Sequence, residues 1–173
     1  LWGGHVTRYP RRGQIDFDGK HQSDGALHIE PIKVLFNDGG DASLHGSLAW
    51  EMPTSSAQVI NLHKLYGSAE AIESQVIVKN INKAIFVTGP LMSSAESYSS
   101  RRNDLISLVY DQIEHGAFKT VSRDVKVADA LTGQEKTARQ VEIATDNSGH
   151  QVREDSSLIS EAGLHTFKEL LRC

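Results

Sequence analysis

The sequence predicts an α+β domain, and three observations carry that prediction. Apolar residues alternate at period two over residues 32–50. They then recur at three-to-four spacing from about residue 57 to residue 113, and return to period two after Gly116. Strands, then helices, then strands, with a helix expected last, is the order of an α+β fold rather than of repeated strand–helix–strand units.

Each element follows from its local chemistry. Residues 14–31 thin out in apolar positions and are punctuated by Gly19, Gly25 and Pro31, so they read as irregular. Ile32, Val34 and Phe36 share one face of a strand. Ala42, Leu44, the small Gly46, Leu48 and Trp50 share one face of the next. Between them Asn37-Asp38-Gly39-Gly40-Asp41 stands where the chain must reverse. The stretch fails as a calcium loop: from Asn37, position 3 is Gly39, position 6 is Ala42 and position 12 is Leu48, none of them the residue required. A hairpin tip is the remaining reading.

Met52-Pro53-Thr54-Ser55-Ser56 closes the strand and offers helix caps. A helix is expected from about Ala57 to Tyr66, ended by Gly67. A second begins after Ser68 with Ile72, Val76, Ile77, Ile81, Ala84 and Ile85 inward, and Gly89-Pro90 breaks it. A third opens on the capping box Ser93-Ser94-Ala95-Glu96, turns Tyr98, Leu105, Ile106, Val109 and Ile113 inward, and stops at Gly116. Phe118 to Val127 then reads as a strand, Thr132-Gly133 as a turn and Ala138 to Ala144 as the partner. Asp146-Asn147-Ser148-Gly149 turns into a short strand at Val152, and a helix is expected from about Ser157, including Leu164 to Leu171.

Composition narrows the function. The 173 residues carry 39% apolar and 23% charged side chains, which places the chain among folded domains. Eighteen Lys and Arg against 22 Asp and Glu give net −4, so no nucleic-acid partner is expected. Cys173 is the one cysteine, so no intrachain disulfide can form. The chain opens on Leu1 without a methionine and reads as a piece of something longer. Its longest strongly apolar run, Ala84 to Val87, is too short to span a bilayer.

No reactive constellation in the sequence is complete. His28-Ile29-Glu30 starts like a zinc deaminase signature but lacks the downstream cysteine pair. No two of the eight histidines stand four apart, and His45 lies on the polar face of its strand. Gly13 and Gly19-Lys20 enclose five residues where a phosphate loop needs four, and His21 replaces the Ser or Thr. Asp16 and Asp18 fall in irregular sequence and read as solvated surface. No catalytic residue, metal ligand or cofactor is expected.

Two basic features are singled out. Residues 1–13 contain Arg8, Arg11 and Arg12 with Trp2 and Tyr9 and no acidic residue. They suit a membrane-proximal segment with interfacial aromatics, or else an edge strand with a charged border. Arg101 and Arg102 on the third helix are a solvated face or a subunit contact.

The stretch Ala42-Ser-Leu-His-Gly-Ser-Leu-Ala-Trp-Glu-Met resembles the central strand of the band 7, or SPFH, domain of stomatins, prohibitins and flotillins. The succession around it is similar too: a short helix, a long helix, a helix holding Ser97-Tyr-Ser-Ser-Arg-Arg-Asn-Asp-Leu-Ile, and the Gly-initiated strand from His115. Lys33-Val-Leu-Phe-Asn-Asp-Gly-Gly, Trp50-Glu-Met-Pro and Thr88-Gly-Pro-Leu-Met-Ser-Ser resemble prohibitin-like bacterial or phage members. The resemblance implies a curved antiparallel-rich sheet with packed helices. It divides the chain into an entry segment at 1–31, a core at 32–128, and an added hairpin region with a helix start at 129–173. It further implies a non-enzymatic scaffold tethered to a membrane, expected to be a bacterial inner membrane, through an anchor outside this piece. Such a scaffold assembles with copies of itself into a ring or cage around lipid and clients such as a membrane AAA protease. An adaptor that binds one protein partner through the 130–155 hairpin is the alternative.

Overall fold

The computed structural model describes residues 3–20 and 24–172 and shows a mixed α+β domain with a curled, antiparallel-rich sheet and several helices. The long strand β4 (Asp41–Glu51) is its axis. On one edge β4 pairs antiparallel with β1 (Arg12–Phe17), which pairs parallel with the short β2 (Leu27–Ile29). Further along β4, β3 (Ile32–Leu35) pairs antiparallel with Asp41–Leu44, and on the edge opposite β1 the C-terminal β7 (His165–Arg172) takes His45–Glu51 with a register shift at Gly46/Leu48. The pleat sends Ile15, Phe17, Val34, Leu44, Leu48 and Trp50 to one buried face.

The expected β3–β4 hairpin is present, with Val34 opposite Ala42 and Ile32 opposite Leu44. Phe36 N–H donates to Gly40 O at 2.9 Å to close its tip. Two other expectations are overturned. Residues 12–17 and 27–29 are strands rather than irregular chain: Ile15 and Phe17 are fully buried, but a single apolar pair around Asp16 is too short an alternation to stand out. The end of the chain is strand β7 rather than helix. Only α6 (Leu158–Glu161) is helical there, and Gly163, at φ +74°, turns the chain back into the sheet.

The helices cover the buried face. The helix α1 (Ser56–Tyr66) ends on a left-handed Gly67 and buries only Leu62. The next helical run is α2 (Ala69–Ile72), a π turn at Glu73–Ile77, and α3 (Val78–Thr88). The wide turn sets Glu73 where it accepts from the indole N–H of the buried Trp50 at 3.0 Å. That bond satisfies a donor with no place in an apolar core. Burial holds the Glu73 carboxyl above its ordinary value against this hydrogen bond.

The third helix is two. The capping box of Ser93 and Glu96 opens α4 (Ser94–Tyr98), Ser99 leaves helical geometry, and α5 (Arg102–His115) begins anew. Leu105, Val109 and Ile113 are buried as expected and Ile106 packs against the core. Tyr98, by contrast, is 60% exposed. The break rotates Tyr98 out of the stripe that its spacing suggested. Two strands of nine residues, β5 (Thr120–Ala128) and β6 (Glu135–Ile143), form a separate antiparallel ribbon. The expected short strand at Val152 is reduced to isolated bridges, Phe118 with Arg153 and Thr145 with Gln151.

Candidate functional site

Two regions stand out, the uncovered face of the sheet and the ribbon. On the sheet, Gln14, Asp16 and Ala49 alternate with the buried positions and point away from the helices. Gln14 and Ala49, together with Arg12, Gly13, Phe167 and the segment Asp24–Ala26, border an open groove of about 600 Å³. The Arg12 guanidinium lies 5.5 Å from the centre of the Phe167 ring, a cation–π contact.

Beside the groove, β1 and β2 bring together Asp16, Asp18 and His28, for which no joint role was expected, with Asp24. Asp16 and His28 are direct partners in the parallel register. Asp18 follows β1, and Asp24 precedes β2. The His28 side chain is only 7% exposed. Its Nε2 lies 2.9 Å from Asp24 Oδ1 and 4.0 Å from Asp16 Oδ2, and its Nδ1 lies 3.3 Å from Asp18 Oδ1. Asp16 and Asp18 are therefore half-buried partners of a histidine, not solvated surface. Asp24 first and Asp18 second hold the imidazole above its ordinary pKa, against the opposing effect of desolvation. The carboxyls answer downward: Asp24 chiefly through His28, and Asp18 chiefly through the Lys20 backbone N–H.

One donor atom each from Asp16, Asp24 and His28 lies within 4.8 Å of the others, a grouping that a divalent ion could use. The same distances suit a proton at each ring nitrogen. Each ring nitrogen already faces a carboxylate at hydrogen-bonding range, the arrangement of an imidazolium with both nitrogens donating. The signal was legible only in part: Asp24 and His28 are four apart, but the contribution of Asp16 and Asp18 depends on strand pairing.

The ribbon is the second region. Along β5 and β6 every side chain is exposed or at most half-buried, and Leu131 at the tip is 96% exposed. Cross-strand pairs Lys126–Glu135 and Arg139–Asp124 lie on its surface. Its root is anchored firmly. Phe118 N–H donates to the buried Gln112 Oε1 at 3.1 Å. Arg153 stacks 4.4 Å from the Phe118 ring centre while donating to Gly116 O and Asp111 Oδ2, both at 2.6 Å.

The singled-out basic residues are dispersed. Trp2 lies outside the described residues. Arg8 is exposed, and Tyr9 packs against the core with its hydroxyl 2.6 Å from His63 Nδ1. Arg11 and Arg12 lie 3.0 and 3.7 Å from the Glu51 carboxylate, so part of the basic charge at this end is neutralised within the domain. Arg101 binds Asp104 and donates to Leu91 O at 3.0 Å, which gives it a fold role at the α4–α5 break. Arg102 is exposed. Asp38, expected only to turn a hairpin, accepts from Ser94 N–H at 3.0 Å and Ser94 Oγ at 2.6 Å, tying the β3–β4 tip to the start of α4.

Among the described residues, no helix is long and apolar enough to cross a membrane. Comparison with family models, with curated proteins and with solved structures found no significant match.

Proposed function

We propose that this chain is a band 7 (SPFH)-like stave of a non-enzymatic, membrane-tethered scaffold that assembles side by side with copies of itself. The observation that carries the reading is the ribbon. A lone two-stranded hairpin is marginal in water, yet β5 and β6 extend for nine residues each with no fully buried side chain and Leu131 bare at the tip. A neighbouring subunit would supply the missing cover. Large apolar side chains also lie exposed on other elements, Ile60 and Leu65 on α1 and Phe86 on α3. Different patches on different elements suit head-to-tail contacts, which close into rings when the rotation permits. Each contact is modest, and repetition makes the assembly stable. The quoted motifs and the element order around β4 support the family resemblance. Membrane attachment, at a bacterial inner membrane in this reading, would lie outside the described domain, and a membrane protease is a fitting enclosed client.

The same ribbon also favours a second reading, an adaptor that grips one protein partner through residues 130–155. Electron imaging of the full-length protein in native-like lipid extract tests both. Closed rings or domes of repeated subunits support the scaffold, and particles of one or two chains overturn it. Deleting Leu131 to Val152 separates the two further. Loss of assembly supports the scaffold, whereas loss of one partner with assembly intact supports the adaptor.

A further inference from the structure

The strand β2 spans three residues and lies at the edge of the sheet, where backbone pairing alone is weak support. Leu27 and Ile29 pack against the core on its inner face, and on its outer face it is fastened by His28, whose ring sits among Asp16 on β1, Asp18 after β1, and Asp24 on the approach to β2. The other charged groups close by are Lys20, whose charge acts on Asp18, and Glu30, whose carboxylate lies against Gly19. Asp16 is fixed in place by Gln14, which donates to its Oδ1 at 2.8 Å.

The chemistry of the ring makes this arrangement two-state. Carboxylates only accept hydrogen bonds, and a neutral imidazole has one donor nitrogen and one acceptor nitrogen. With a carboxylate at each nitrogen, a neutral ring must point a lone pair at an acceptor, whichever tautomer it takes. Only the imidazolium satisfies Asp18 and Asp24 together. Loss of the proton also leaves three carboxylates around an uncharged ring, so like charges then repel across the β1–β2 junction.

We propose that the His28 proton is a latch that holds the edge strand β2 on β1, and that its loss frees β2 and bares the outer edge of β1. The inference does not depend on the scaffold reading. Its sign follows from linkage. His28 is held above its ordinary value in the fold, so the stabilisation is complete below the unfolded value of about 6.5 and is lost as pH rises through the raised folded value. A bared strand edge pairs readily with other strands, so the latch couples alkalinity to exposure of a sticky edge.

The test is nuclear magnetic resonance on the whole chain, following the His28 ring signal and the amide-exchange protection of β1 and β2 across neutral pH. We expect His28 to titrate above the ordinary histidine value. Protection of the Asp16 amide, which faces β2 rather than β4, and of the Leu27 and Ile29 amides, corrected for the intrinsic rate, should fall through the same window. Each unit of separation between folded and unfolded values is worth a tenfold loss. Asp24→Asn should move that window downward. His28→Gln, neutral at every pH, should erase the pH dependence and leave β2 poorly protected throughout. Titration of His28 at or below the ordinary value would overturn the proposal, as would protection that ignores pH in the native chain. Release of β2 by a chelator at constant pH would overturn it too, by showing that a cation and not a proton holds the junction.

Discussion

Replacing Gln112 by methionine should cost far more than its place on an amphipathic helix suggests. Gln112 is 2% exposed, and its amide is used from both ends. Nε2 donates to Thr88 Oγ1 at 2.7 Å and to Leu108 O at 3.1 Å, and Oε1 accepts from Phe118 N–H at 3.1 Å. Methionine preserves the volume and removes the bonds. Phe118, itself 2% exposed, then has a buried N–H with no acceptor, which costs about 1–3 kcal/mol. Thr88 still donates to Ala84 O at 2.7 Å, so it loses only an accepted bond, about 0.5–1 kcal/mol. A gain of about 1 kcal/mol from burying a less polar side chain offsets part of this. The net expectation is about 0.5–3 kcal/mol, or a Tm lower by roughly 1–12 °C for a domain of this size. Urea denaturation with an unchanged m-value measures it. Thr88→Val in the same background should be less than additive, because the two side chains share a bond. A loss below about 0.5 kcal/mol, the range of an ordinary surface change, would show that Gln112 does not anchor the root of the ribbon.

Further outcomes follow from other sites. Gly13 faces Trp50 across the β1–β4 pair, and an added Cβ would lie 2.4 Å from Trp50 Cε2. Gly13→Ala should therefore destabilise by about 1–3 kcal/mol and shift the tryptophan fluorescence, and a neutral result would mean that the ring is free to move. The Asp38 carboxyl is held below its ordinary value by the Ser94 hydroxyl first, then by the Gly40 and Ser94 N–H groups. Its contribution is present above 3.8 and lost as pH falls through the lowered value, so Asp38→Asn should flatten the acid limb of thermal stability; an unchanged limb refutes the clamp. Leu131→Arg alters a side chain that is 96% exposed, so stability should stay within about 0.5 kcal/mol. Sedimentation should show weakened assembly, and assembly at native strength would remove the tip from the subunit contact.

Much of this architecture is legible in the residues because local rules and tertiary packing agree there. The alternation of Ile32, Val34 and Phe36 with Leu44, Leu48 and Trp50 sets a hairpin wherever it is placed. Ser93 and Glu96 cap a helix with their own side chains, and Gly67 and Gly116 end helices because φ is positive at both. What failed was read from spacing across breaks that spacing cannot show. Tyr98 and Leu105 are seven apart, but Ser99 separates their helices. Leu170 and Leu171 fit a helix on paper, while β4 had an unpaired edge from His45 to Glu51 that only a returning strand could satisfy.

The His28 site shows the same division most clearly. Sequence determines that an imidazole and several carboxylates exist near residues 16–28, and that their types can share protons. Only the parallel pairing of β1 with β2 decides that Asp16 stands directly opposite His28. Only burial of the ring decides that both of its nitrogens are answered by carboxylates rather than by water. Strand register is a long-range choice made by the whole sheet, so no local pattern could have stated it.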